Sequence, residues 1–105
     1  MSDVEQLENA RRKMVRYRIL KILDAGRPLL VGEGLIGSIL IDADLDATES
    51  DVRKALQYLE DKGFVEIEMP KRGINSHWSA RLLPTGVDYI ENAHIDEPGI
   101  ARPAG

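Results

Sequence analysis

The sequence predicts a small α+β domain: a long N-terminal helix, two further helices, a β-hairpin and a short last helix. Three observations carry that reading. Apolar residues recur at helical spacing over 2–25, 33–43 and 48–62, and residues 64–69 alternate apolar and charged like a half-buried strand. Gly26, Pro28, Gly63 and Pro84 punctuate the junctions. At 105 residues there is room for one domain, and 43% apolar with 30% charged residues suits a modest core. The absence of cysteine excludes disulfides, thiolate zinc sites and cysteine nucleophiles. No apolar run approaches the ~20 residues that span a bilayer, and the acidic start Met1-Ser2-Asp3 is unlike a signal peptide, so a cytoplasmic chain without membrane contact is expected.

Ser2 and Glu5 form a capping-box pattern that starts the first helix, Val15, Ile19, Ile22 and Leu23 give it an apolar stripe, and Gly26 stops it. Its length of about 35 Å exceeds what a three-helix core needs. Val4, Leu7 and Met14 make a second, sparser apolar row. Residues 27–31 read as a short extended link, since Pro28 biases Arg27 away from helix. Glu33–Ala43 reads as a second helix with Leu35, Ile36, Ile39 and Leu40 on its apolar face, weakened by Gly34 and Gly37. Residues 42–47 form a turn that Leu45 plugs inward. Thr48 caps the third helix with Asp51 at its third position. Val52, Ala55, Leu56 and Leu59 are its buried stripe, and Ser50, Arg53, Lys54 and Gln57 its outer face. Phe64–Met69 and Trp78–Leu83 are the hairpin strands, 71–76 its tip. Pro84 opens a last helix to Asn92 that buries Val87 and Ile90. The domain is assigned to residues 1–93. From His94 onward Pro98, Gly99 and Pro103 prevent regular structure, and 94–105 is expected to be a flexible tail.

Two helices joined by a turn and followed by a hairpin are the ingredients of a winged helix-turn-helix. The run from Ser50 to Val65 resembles the recognition-helix-into-wing segment of bacterial winged-helix regulators, in which a leucine pair, a charged residue, glycine and two apolar residues follow in order. Leu82-Leu83-Pro84-Thr85-Gly86 is similar to the Leu-Thr-x-x-Gly start of their final helix, with Leu83 in place of the usual capping hydroxyl. Arg11-Arg12, Ile19–Leu23, Asp51-Val52-Arg53 and Pro98–Pro103 together resemble small winged-helix proteins of Mu-like phages and prophages. That resemblance implies a fold and a setting, and no activity.

Nothing in the sequence argues for an enzyme. His77 and Ser76 are neighbours on an extended segment and point to opposite faces, which defeats a nucleophile–base pair. Asp42, Asp44 and Asp46 are spaced like the start of a calcium loop, but the central glycine and closing glutamate are replaced by Ala47 and Arg53. No catalytic residue, metal, cofactor or small-molecule ligand is therefore assigned.

Double-stranded DNA is the sharper expectation. In a helix-turn-helix the second helix enters the major groove, which gives Ser50, Arg53, Lys54 and Gln57 to base edges, with Arg53 suited to guanine and Gln57 to adenine. Lys71 and Arg72 at the wing tip suit phosphates or the minor groove. Charge argues both ways. Residues 11–27 hold seven bases against one acid, whereas 42–51 hold five acids and no base and lead into the recognition helix. The net −4 of the whole chain conceals these opposed blocks. The sequence thus supports a sequence-specific DNA-binding transcriptional regulator, with a non-catalytic protein–protein interaction module as the alternative. A homodimer is expected through Val4, Leu7, Met14 and Tyr89, since two-fold symmetry is what reading two half-sites requires.

Overall fold

In the computed structural model, residues 2–70 and 76–103 are described. The chain forms α1 (Asp3–Ala25), β1 (Val31–Gly32), α2 (Glu33–Asp42), α3 (Glu49–Asp61), β2 (Val65–Glu68), β3 (Ser79–Leu82) and α4 (Pro84–Glu91). The strands make one antiparallel sheet in the order β1-β3-β2, with Val31 opposite Ala80 and Val65 opposite Leu82. Three helices stack on one side of this small sheet, and the β2–β3 hairpin is the wing.

The helix ends are fixed where local chemistry predicts. The Glu5 N–H donates to Ser2 Oγ at 3.2 Å. Thr48 and Asp51 complete a reciprocal capping box, the Thr48 N–H donating to Asp51 Oδ2 at 3.0 Å and the Asp51 N–H to Thr48 Oγ1 at 3.1 Å. Lys62 closes α3 and Gly63 follows in the left-handed region, φ 78°, where a side chain would be strained. Leu83 has no side chain with which to cap α4, and its own N–H donates to Phe64 O at 2.9 Å, tying the helix start to the head of β2.

The core is one cluster: Val15, Ile19, Leu20 and Leu23 of α1 meet Ile36 and Leu40 of α2 and Val52, Leu56 and Leu59 of α3. Phe64, Val65, Ala80 and Leu82 close it from the sheet, and Leu45 plugs the α2–α3 turn.

Four sequence expectations are corrected. The link at 27–31 yields a strand of only two residues, because the chain turns through 26–29 before it meets β3. Leu35 points to solvent, since Ile36 and Leu40, with half-buried Ile39, take the apolar inward face of the ten-residue α2. Tyr89, assigned to a dimer seam, is 1% exposed. Gly86 presses α4 onto the sheet and turns the residue one helical turn later inward, so the Tyr89 ring stacks on Phe64 at 5.2 Å while Val87 and Ile90 are half-buried. Finally, residues 94–103 lack helix and strand, as their prolines and glycine dictate, but they do not hang free. Ile100 is buried in the core, the Ala101 N–H donates to Lys13 O at 3.1 Å, and the Arg16 guanidinium donates to Gly99 O at 2.9 Å. Arg102 lies over the Tyr89 ring at 4.2 Å and donates to Tyr89 O, and Lys62 pairs with Glu97 at 3.0 Å.

Two glycine substitutions test this packing with opposite signs. A Cβ on Gly86 lies 2.4 Å from Phe64 O and 2.6 Å from Leu82 Cδ1, so Gly86→Ala is expected to destabilise by about 1–3 kcal/mol in denaturant unfolding. Nothing lies within 4 Å of such an atom on Gly37, so Gly37→Ala in α2 is expected to stabilise by up to about 1 kcal/mol.

Candidate nucleic-acid interface

α3 presents its outer face because its inner one is fully committed. With Val52, Ala55, Leu56 and Leu59 buried, Ser50, Lys54 and Gln57 are left exposed on consecutive turns. Together with Glu49, Arg53 and Trp78 they line one shallow open groove of about 390 Å³ between the helix and the wing root. The sequence-assigned residues of α3 are thus brought together on one surface. Gln57 Nε2 donates to Glu60 Oε1 only at a long 3.4 Å, and Lys54 makes no ion pair among the described residues. Lys71 and Arg72 lie outside the described residues.

Arg53 differs from its three neighbours. Its Nε donates to Glu33 Oε1 and Oε2 at 3.2 and 3.1 Å, and its Nη2 to Glu33 Oε1 at 2.9 Å. Nη2 also donates to Ser76 O at 3.0 Å and pairs with Glu49 at 3.1 Å. The guanidinium lies over the Trp78 ring, 4.9 Å from its centroid. The side chain assigned to guanine is therefore turned inward and sideways, onto the first residue of α2 and the return arm of the wing.

Glu33 makes this possible. It is the one buried charged residue among the described residues, at 5% exposure. Gly32 pairs with Ser79, and the next rung of that ladder falls on Glu33 and Trp78. The Glu33 N–H donates to Trp78 O at 2.9 Å, but the Glu33 carbonyl has already turned into α2. Its carboxylate takes over, and the Trp78 N–H donates to Glu33 Oε2 at 2.8 Å. Burial pushes the Glu33 carboxyl up, but the hydrogen bonds from Arg53 and the Trp78 N–H, with the charges of Arg53 and His77, outweigh it and hold the group below the ordinary glutamate value. A second tie lies lower on the wing, where the Ile67 N–H donates to Glu60 Oε2 at 2.9 Å, and Arg81 pairs with Glu66 across the strands at 2.9 Å.

The acidic block does not all face outward. Asp46 and Asp51 line a cleft of about 120 Å³ between α1 and the start of α3, beside Arg11, Arg12, Arg16 and Lys54. The Thr48 N–H first, then the Thr48 hydroxyl side and the charges of Arg11 and Lys54, hold the Asp51 carboxyl below its ordinary value against the effect of burial. Asp42, Asp44 and Asp46 stay exposed. The basic block is likewise divided: Arg16 lies over Tyr58 at 3.8 Å, Arg27 pairs with Asp24 at 2.9 Å, and Arg12 reaches back to Glu8 at 3.9 Å. Sequence reasoning missed Glu33, although a signal was present. It is the sole charged residue between Arg27 and Asp42, and a charge alone in an apolar stretch needs a partner.

No protein-family model matches the chain, and no curated protein does. Among solved structures it matches Bacillus subtilis PadR in a crystal structure in complex with operator DNA, with a TM-score of 0.59 and 20% identity over 86% of this chain and 53% of that one. The protein has a winged-helix fold. At that identity the likeness is one of fold, and the chain spans about half the length of the PadR chain. In a winged-helix fold α3 stands in the position of the recognition helix and β2–β3 in that of the wing. No helix among the described residues is long and apolar enough to cross a membrane.

The titration of Glu33 and Asp51 gives a pH test. Both carboxyls titrate lower in the folded than in the unfolded chain, so their contribution is fully present above about pH 4–4.5 and is lost as pH falls through the folded values. Denaturant midpoints between pH 6 and pH 2.5 are expected to fall on acidification, and less steeply for Glu33→Gln than for the wild type.

Proposed function

We propose that the protein is a small sequence-specific DNA-binding transcriptional regulator that sets α3 into the major groove. The observation that carries this reading is the outward row Ser50, Lys54 and Gln57 on a recognition helix buried along its other face. A Gln amide matches the adenine edge, Lys suits guanine or phosphate, and Ser serves either. Glu49, in the first turn, is placed to accept from cytosine N4. Lys71 and Arg72 of the wing are assigned to phosphate or minor-groove contact. The operator-bound state of the PadR neighbour supports the same use of the fold. The resemblance to proteins of Mu-like phages supports a phage or prophage setting.

The protein acts as a homodimer in this reading. Val4, Leu7 and Met14 are 66%, 70% and 49% exposed, and no residue of α1 before Val15 is buried. Charge supports a second copy as the occupant: Asp3, Glu5 and Glu8 precede Arg11, Arg12 and Lys13. Two α1 helices crossing antiparallel about a two-fold axis set the acidic end of each against the basic stretch of the other.

The interaction-module alternative has its own support in exposed Asp42, Asp44 and Asp46 and in the charge of Arg53, which Glu33 and Glu49 offset. Duplex binding against salt separates the two. The regulator loses affinity linearly in log salt, with a slope near −0.9 per phosphate neutralised. Lys54→Ala is expected to flatten that slope or relax one base position, and Gln57→Ala to cost about 1–3 kcal/mol on the preferred site and little on random duplex. No binding to a pool of duplexes at low salt overturns the reading. For the dimer, sedimentation is expected to give twice the 11.7 kDa chain mass, and Leu7→Asp the chain mass alone. A single 11.7 kDa species for the wild type at tens of micromolar contradicts it.

A further inference from the structure

We infer that Glu33 is a positioning residue of the α3–wing surface: it withholds Arg53 from the groove and uses it to fasten the wing root to α3. The inference rests on the DNA-binding reading for its consequence and on local geometry for its existence. Three elements meet at one carboxylate. It accepts the Trp78 N–H from the wing at 2.8 Å and both donors of the Nε–Nη2 edge of Arg53 from α3, while its own backbone begins α2. Arg53 extends the junction to Ser76 O and over the Trp78 ring. A lysine ammonium cannot do this, because the junction needs two coplanar N–H donors on the carboxylate and a flat cation on the indole.

The consequence is a division of labour on α3. A free arginine at this position reads guanine or holds phosphate. Arg53 does neither while Glu33 and Glu49 offset its charge, and base reading falls to Ser50, Lys54 and Gln57. The wing then meets DNA at an angle set by protein contacts that exist before binding, so the loss of Glu33 releases a cation into the groove and loosens the wing together.

Trp78, the single tryptophan, reports the junction without DNA. Glu33→Gln is nearly isosteric and can still accept from the Trp78 N–H, yet it loses the charge that holds Arg53. Acrylamide quenching of Trp78 is expected to rise in Glu33→Gln and in Arg53→Gln, and the double variant to show no more than either single change. In duplex titrations Glu33→Gln is expected to steepen the log–log salt slope by about 0.9, one added phosphate contact, and to narrow the gap between preferred and random duplex. Adding Arg53→Gln removes the extra slope, which a merely structural defect would not do. Should Glu33→Gln not fold, Arg53→Lys carries the test, with quenching raised because the fork is gone. Quenching unchanged in the folded variants overturns the fastening, and an unchanged salt slope with raised quenching overturns the withholding. A wild type that binds no duplex while the quenching shifts as expected overturns the DNA reading and supports the fastening.

Discussion

The Glu33 carboxylate is the constraint on which the functional surface depends. A buried carboxylate is costly unless paired and hydrogen-bonded, and this one receives a guanidinium fork and a backbone N–H. Removing either partner strands a charge, so the two cannot be varied independently. The core alone fixes where α3 lies against α1 and α2. It also seats the root of the wing through Phe64, Val65, Ala80 and Leu82, while the outer part of the four-residue strands β2 and β3 gains from a second constraint. The Glu33–Arg53–Trp78 junction and the Glu60 tie to Ile67 supply that second constraint.

The same junction changes the electrostatic picture. Opposed charge blocks along the sequence suggest a recognition helix flanked by repulsive carboxylates. Folding offsets part of that charge: Asp51 lies near the bases of α1, Glu49 and Glu33 share Arg53, and Arg16 is drawn against Tyr58 beneath the C-terminal segment. Along the row Ser50, Lys54 and Gln57 the outward groups of α3 are a hydroxyl, an ammonium and an amide, with the Glu49 carboxylate beside them. That set suits direct readout better than general attraction to phosphate, in keeping with an acidic protein.

Most of the architecture was legible in the sequence because it rests on local signals. The Thr48–Asp51 cap, the stop at Gly63 and the stripe Val52, Ala55, Leu56, Leu59 each act within a few residues and are found where those rules place them. At 64–69, by contrast, the strand runs only over Val65–Glu68 and burial fades along it instead of alternating. The phase of α4 was not legible. Whether Tyr89 or Ile90 turns inward is decided by Gly86 meeting Phe64 O, a contact between segments 22 residues apart. The C-terminal segment escaped for a similar reason. Its prolines and glycine do exclude regular structure, but Gly99 is needed where Tyr58 Oη would lie 1.8 Å from a Cβ, and Arg102 finds three carbonyls around α4. At the site, α3 spacing named the face correctly as a set. It could not foresee that Arg53 is drawn inward, because its partner lies 20 residues earlier at the start of another helix.

The most direct measurement of the central claim is the proton exchange of the Arg53 side chain, read from ¹⁵N–¹H spectra of the free protein near pH 6. With its Nε–H on both oxygens of Glu33, Arg53 is expected to give a resolved, slowly exchanging Nε–H signal that disappears in Glu33→Gln. Exposed Arg11 and Arg18 are expected to exchange fast in both. An Arg53 Nε–H exchanging as fast as theirs in the wild type would contradict the account, because α3 and the wing would then lack the tie on which the surface depends.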